Sequence, residues 1–382
     1  MKEIYLDNAA TTKLDPKVIK AMLPYFDEKY GNASSTHTKG REAKNAMEKA
    51  RRVIAKSIGA APEEIIFTSG GTESNNFAIK SIAFNNREKG NHIITTKIEH
   101  DCVMNSCKWL QTQGFEVTYL DVDKEGFVKP EELEKAITPK TILVTIIHGN
   151  NEIGTIQDLK ALGEICRKHN VYFHTDACQS YTKTEINVKK QPVDLITLNA
   201  HKIHGPKGVG ALYIRKGINI KAWQHGGGHE RNLRSGTENI PGIAGFAEAF
   251  KQADSHKHIK NMTRLRDLII NGIEKNIPEC RLNGPQGEKR LCNNINFIFA
   301  RIEGEAIGGY LDLKGISSST GSACSSHTLE PSHVLQAIGL SKAEANGSLR
   351  LSISRYTTEE EVKYLLDVLP PIIKKLRLIS PL

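Results

Sequence analysis

At 382 residues the chain exceeds what one hydrophobic core usually fills, and length alone predicts about two to three domains. Hydrophobic residues at 39% and charged residues at 25% fit a globular protein, and no apolar run reaches the ~18–20 residues that would span a bilayer. The net charge of +9 is spread in single residues and pairs such as Arg51-Arg52 and Lys374-Lys375, which predicts a solvated surface rather than a nucleic-acid face.

The start, "MKEIYLDNAATT", lacks the basic-then-apolar layout of a leader, so the expectation is a cytoplasmic protein without membrane contact. Asp15-Pro16 then reads as a helix N-cap with proline at the first helical position, and Pro130 opens "PEELEKAI" in the same way. From about residue 63 to 215 seven short apolar runs follow one another: "EEIIFT", "HIITT", "EVTYLDV", "TILVTIIHG", "VYFHTD", "VDLITL" and "GALYIR". Segments 73–86, 103–113 and 158–169 lie between them with apolar residues at helical spacing. Strands that are apolar on both faces and alternate with helices predict an α/β fold with a mostly parallel, seven-stranded sheet covered on both sides. After about residue 250 a charged helical stretch, 251–276, precedes "NNINFIFA", "GISSST" and "SLRLSIS", a pattern of a smaller α+β domain. Thr358 and Glu361 have capping-box spacing before a terminal helix.

The seven cysteines (102, 107, 166, 178, 280, 292, 324) form no CxxC pair, and their odd number argues against structural disulfides or a preformed metal cluster. Most sit in apolar or helical surroundings, where a free thiol packs as a small hydrophobe; Cys178 reads this way too. Cys324 differs, because "SSSTGSACSSHTLEPSH" is a polar run of small residues with no core pattern.

Ligands of open α/β sheets collect at the carboxyl ends of the strands. There this chain delivers "SGGTESNN", Glu99-His100, Asn150-Asn151-Glu152, Asp176 with Gln179, and Asn199, His201 and Lys202. Each has a plain reading on its own: a tight turn for Ser69-Gly70-Gly71-Thr72, a turn residue for Asp176, a structural ring for His100, a solvated lysine for Lys202. Together they suit pyridoxal 5'-phosphate, which needs an amine for its aldehyde, a carboxylate for its ring nitrogen, an anion site for its phosphate and a nearby acid–base group.

The same residues carry a family resemblance. "YLDNAATT" (5–12), "YGNASSTH" (30–37), "FTSGGTESNN" (67–76), "EH" (99–100), "NNEIGTIQ" (150–157), "HTDACQS" (174–180), "AHKIHGPKGVGALYIRKG" (200–217), "GGGHERNLRSGTENIPGIAGF" (226–246), "STGSACSS" (319–326) and "SLRLSISRYTTEEE" (348–361) resemble the NifS/IscS-type cysteine desulfurases. These belong to the class V aminotransferase family of fold-type I pyridoxal-phosphate enzymes. The resemblance implies a large cofactor domain over 15–255 and a small domain from 1–14 and 256–382 that carries a mobile cysteine loop at about 317–330. It implies that Lys202 carries the cofactor, Asp176 faces the ring nitrogen, His100 stacks on the ring and moves protons, and Gln179 contacts the ring oxygen. Gly71, Thr72, Asn199 and His201 match phosphate contacts and Asn151 a further cofactor contact. Thr237 matches a phosphate ligand supplied by a second subunit, hence a homodimer. Arg350 matches the clamp on the substrate carboxylate, with Asn32 beside it.

Cys324 matches the nucleophile that takes sulfur from L-cysteine as a persulfide, leaving L-alanine. The implied role is sulfur supply for iron–sulfur cluster assembly through an IscU/NifU-like scaffold, and for thiolation of tRNA or cofactors. Whether Cys324 also ligates a cluster transiently stays open, and no other metal ligand is expected. A selenocysteine lyase, a general cysteine lyase and a non-catalytic sulfur or iron–sulfur carrier are the alternatives. Asn199 stands where the family usually has Ser, Ala33 where it has Pro and His229 where it has Gln. The chain stops at "RLISPL", where well-known relatives continue into a scaffold-docking tail.

Overall fold

The computed structural model describes residues 3–320 and 331–380; Cys324 lies outside them. The strands in chain order are β1 (Ile4–Tyr5), β2 (Ile65–Thr68), β3 (His92–Thr96), β4 (Glu116–Leu120), β5 (Thr141–Thr145), β6 (Tyr172–Asp176), β7 (Leu195–Asn199), β8 (Gly210–Ile214), β9 (Cys280–Leu282), β10 (Asn294–Phe299), β11 (Ile316–Ser317) and β12 (Ser348–Ser352).

β2 to β8 form one sheet in the order β2-β8-β7-β6-β5-β3-β4, parallel throughout except that β8 runs against both β2 and β7. Every residue of β3, β5, β7 and β8 is buried, as the unbroken apolar runs require of strands covered on both faces. On one face Ile54, Phe173, Ile196, Leu198 and Phe246 join the helices Thr38–Ser57, Leu159–Lys168 and Ile240–Ala253 to the sheet. On the other, Ile66, Leu143 and Leu212 meet Phe77, Ile79 and Ile82 of helix Gly71–Asn85 and Val103, Cys107 and Leu110 of helix Asp101–Thr112. The fold is therefore α/β with a mostly parallel seven-stranded sheet, as the sequence pattern predicts.

A second sheet, β12-β10-β9, is antiparallel and shares an apolar cluster with helices His256–Asn276, Gly304–Asp312 and Glu359–Ile379. Ile4 and Leu6 belong to this cluster, because β1 pairs in parallel with β11. The "GISSST" strand shrinks to Ile316–Ser317.

Helix starts follow the sequence signals. Asp15 Oδ1 accepts the Lys17 backbone N–H at 2.8 Å, and Thr358 and Glu361 form the reciprocal capping box. The continuous helix expected over 251–276 is interrupted instead. One helix ends at Ala253 and the next begins at His256, with Asp254 and Ser255 non-helical between them. Short polar side chains at both positions compete with the helical backbone, which apolar periodicity alone does not register.

One segment is held against its backbone preference. Glu230, Arg231 and Asn232 have φ of 42°, 59° and 62°, a left-handed run that costs non-glycine residues roughly 1–2 kcal/mol each. The buried Glu230 carboxylate anchors it, accepting from Arg51 Nη1 and Nη2 at 2.8 and 2.7 Å and from the Phe67 N–H at 2.7 Å.

Candidate functional site

Asp176 ends β6, and β6 pairs in parallel with β7, whose run-off carries Lys202. The two side chains thus leave the same rim from adjacent strands, about 5 Å apart in the sheet. Lys202 Nζ donates to the carbonyls of Ala9 and Ala10, the latter at 2.7 Å. Asp176 is 5% exposed and accepts from Asn75 Nδ2 at 2.6 Å and from the Cys178 N–H at 2.8 Å. Beneath it the His174 ring spans the Thr145 and Thr197 hydroxyls at 2.8 and 3.1 Å. Burial lowers the His174 pKa to about 4, against the pull of the Asp176 charge, so the ring stays neutral.

The glycine turn sits beside this pair. Helix Gly71–Asn85 starts after Gly70, whose φ of 151° belongs to glycine, and among the described residues no side chain caps its first turn. A Cβ on Gly71 would lie 2.6 Å from Cys178 Sγ and 3.6 Å from Asn199 Nδ2, so only glycine fits. Thr72 is exposed in the first turn. Asn199 is 3% exposed, and its Oδ1 has no partner among the described residues. His201 Nδ1 lies 3.2 Å from the Thr11 hydroxyl; burial and then the Lys202 charge push its pKa down to about 3, which leaves a neutral ring.

A cleft of about 530 Å³, partly open to solvent, gathers five of the expected residues: His100, Asn151, Gln179, Lys202 and Arg350. His100 caps helix Asp101–Thr112, its Nδ1 accepting the Cys102 N–H at 3.2 Å. Gln179 Nε2 donates to the Ala9 carbonyl at 2.8 Å. Arg350 is 2% exposed, and its guanidinium reaches Asp7 Oδ1 at 2.9 Å and the Asn151 carbonyl at 3.3 Å. The Asn151 Oδ1 is buried without a partner among the described residues.

Two expected residues stand apart. Asn32 is exposed, its Oδ1 accepting the Ser34 N–H at 2.9 Å, and Thr237 is exposed in the loop after the left-handed turn; neither lines the cleft. Several residues that sequence reasoning did not assign do belong. Asp7 pairs with Arg350, and Asn75 and His174 hold Asp176 from the side and from below. His333 lines the cleft and donates from Nε2 to the Glu99 carbonyl at 2.8 Å. Glu99, beside His100 in the motif, is buried with a pKa raised to about 8 by desolvation, although the Thr96 hydroxyl and the Ile147 N–H donate to it. Among the described residues, no group of three or more His, Cys, Asp or Glu is placed to hold a metal ion, and no helix is long and apolar enough to cross a membrane.

The family model described as aminotransferase class-V matches residues 4–365. The chain belongs to the class-V aminotransferase family. Class-V aminotransferases are pyridoxal-phosphate enzymes, and the rim just described is where such a fold binds its ligand. The chain is 54% identical to a protein named cysteine desulfurase IscS from Dictyoglomus turgidum, over 100% of this chain and 97% of that one. Among solved structures it resembles a NifS-like protein with a TM-score of 0.92 and 41% identity, covering 98% of this chain and 100% of the other. It also resembles a structure titled SspA in complex with cysteine, with a TM-score of 0.84 and 38% identity over 94% of this chain and 100% of the other. This class-V aminotransferase therefore has the fold of the NifS-like proteins.

Proposed function

We propose that this protein is a pyridoxal-phosphate-dependent cysteine desulfurase, which converts L-cysteine to L-alanine and passes the sulfur on as a persulfide of Cys324. The observation that carries the reading is one cleft that joins the Lys202 amine to the Arg350 guanidinium, with Asp176 at the end of the neighbouring strand. The residues present fit the cofactor: an uncapped helix start built on Gly70 and Gly71 suits its phosphate, and the partnerless Asn151 Oδ1 and Asn199 Oδ1 among the described residues leave polar groups for a ligand. When bound, pyridoxal phosphate supplies an aldehyde for the substrate amine and a ring that accepts electrons as the substrate bonds rearrange.

The chain does the rest. Lys202 holds the cofactor, and Asp176, kept in place by Asn75, holds the proton of the ring nitrogen. Gly71, Thr72, Asn199 and the neutral His201 bind the phosphate, while Gln179 and Asn151 orient the ring. His100 stacks on the ring and moves a proton. Arg350, braced by Asp7, binds the substrate carboxylate, with Asn32 contributing from the rim. The Cys324 thiolate attacks the substrate sulfur: an S–S bond forms, the carbon–sulfur bond breaks, and the carbon is protonated to alanine.

Thr237 reaches phosphate in a second copy of the chain, which makes the working form a homodimer; its exposure in the single chain supports this. The large domain spans 15–255, and residues 1–14 join 256–382 in the small one, in keeping with the apolar cluster that Ile4 and Leu6 share with the C-terminal helices. The sulfur goes to an IscU/NifU-like scaffold for iron–sulfur assembly in the cytoplasm, and to tRNA or cofactor thiolation.

The test is incubation with cysteine and a reductant, measuring alanine and sulfide together. Equal yields that vanish in both Lys202→Ala and Cys324→Ala are expected. Turnover of cysteine that survives Cys324→Ala would sink the persulfide step, and faster turnover of selenocysteine than of cysteine would point to a selenocysteine lyase.

A further inference from the structure

A bridge of two side chains links the two groups that flank the proposed cofactor ring. Cys102 is half-buried in the first turn of helix Asp101–Thr112, and its Sγ lies 3.1 Å from His100 Nδ1 and 3.1 Å from Asn75 Nδ2. Asn75 is fully buried on helix Gly71–Asn85 and also donates from Nδ2 to Asp176 Oδ2, at 2.6 Å. Turning its amide over would set an oxygen against that carboxylate, so the donor assignment stands.

The order of protons along the bridge follows. His100 Nδ1 already accepts the backbone N–H of Cys102 at 3.2 Å, so Nδ1 carries no proton and the neutral ring is protonated on Nε2. The thiol hydrogen then shares the one Nδ1 lone pair with that backbone N–H, and the sulfur takes the Asn75 hydrogen on a lone pair of its own. Asn75 spends its two hydrogens on sulfur and on the carboxylate. The bridge crosses two helices and a strand end, and every link has a defined donor.

We propose that Cys102 is a positioning residue for the reaction: its thiol adds a second donor at His100 Nδ1 that favours the neutral ring, and with Asn75 it ties that ring to the Asp176 carboxylate. This rests on the reading that gives His100 and Asp176 their roles. Glu99, Asp101, Glu152, Lys202, His333 and Arg350 also face the cleft around His100. All six are retained in a Cys102 variant, so a difference between variants belongs to the thiol.

The test is histidine-ring NMR on isotope-labelled holoenzyme, with the His100 signal identified by its loss in His100→Gln. The wild type and Cys102→Ser, which keeps a donor, are expected to hold one Nε2-protonated form. Cys102→Ala removes a donor that favours the neutral ring, and the apparent pKa of His100 should rise by about half to one pH unit, what one net hydrogen bond to one protonation state gives. The limb of the alanine-formation pH profile should move with it, and serine should restore both. Cys102→Val serves as the donorless variant if alanine unfolds the chain. An unchanged His100 pKa in the donorless variant, or no restoration by serine, would overturn the proposal. Absence of alanine formation in the wild type would instead strike the desulfurase reading, and the ring titration is read without it.

Discussion

Glu230→Gln probes the link between backbone strain and site assembly. The wild-type carboxylate receives three donors, two from Arg51 and one from Phe67. Glutamine keeps one oxygen. Placed where Oε2 stands, it retains the Phe67 N–H and Arg51 Nη1, but its amide hydrogens then meet Arg51 Nη2. That breaks one side of an ion pair whose side chains are 3% and 2% exposed. Removing one partner of such a pair costs about 3–5 kcal/mol, and the retained oxygen places this change near the lower figure. In a chain of this length, the thermal midpoint should fall by about 4 °C. The left-handed run at 230–232 loses its anchor too, so the loop that leads to Thr237 drifts and the holoenzyme should lose cofactor faster on dialysis. Thermal unfolding followed by fluorescence, with the visible cofactor band recorded before and after dialysis, measures both. A paired Arg51→Met with Glu230→Leu should cost less than the sum of its parts, because no buried charge is stranded. A Glu230→Gln midpoint within about 1 °C of wild type would refute the reasoning.

Gly71→Ala places a methyl 2.6 Å from Cys178 Sγ, so it should weaken cofactor binding; adding Cys178→Ala vacates the space and should recover most of it, which titration of the visible band would measure. If the double variant binds no better than Gly71→Ala alone, the contact is not what excludes a side chain. His148 and His174 are both buried with pKa values lowered to about 4, against about 6.5 unfolded. The unfolded chain binds more protons below pH 6.5, so stability is full above that value and falls as the pH drops towards 4. The slope is about 1.4 kcal/mol per pH unit for each ring. Denaturant midpoints from pH 7 to 5 should decline accordingly, and His174→Gln should make the decline shallower; a flat profile would mean the rings are not neutral in the fold.

What was legible in the sequence follows from locality. The Lys202–Asp176 pairing could be read because two buried parallel runs are neighbours in the chain and their ends share a rim. Gly70 and Gly71 announced a special backbone, yet the sulfur that forbids a Cβ at 71 comes from the turn after another strand. Asp7 and Arg350 sit near opposite ends of the chain, and nothing in either neighbourhood marks the pair. Asn75 and Cys102 look like ordinary helix residues, since their meeting depends on the packing of two helices over one sheet face. The break at Asp254–Ser255 escaped because neither residue is a glycine or proline, and short polar side chains within a charged stretch leave no mark on apolar periodicity.

The position of β2 at the sheet edge constrains when the site can exist. Among the described residues Thr68, which leads into the glycine turn, has a single strand neighbour, and its partner in the ladder is Gly210 of β8. During synthesis the strand that aims the turn leaves the ribosome early and has no sheet to join until residues 210–214 follow. A nascent chain holding the Gly70–Gly71 turn but lacking β8 therefore leaves that turn without the ladder that aims it. Assembly of the rim waits on translation past Lys202 to the strand that follows it.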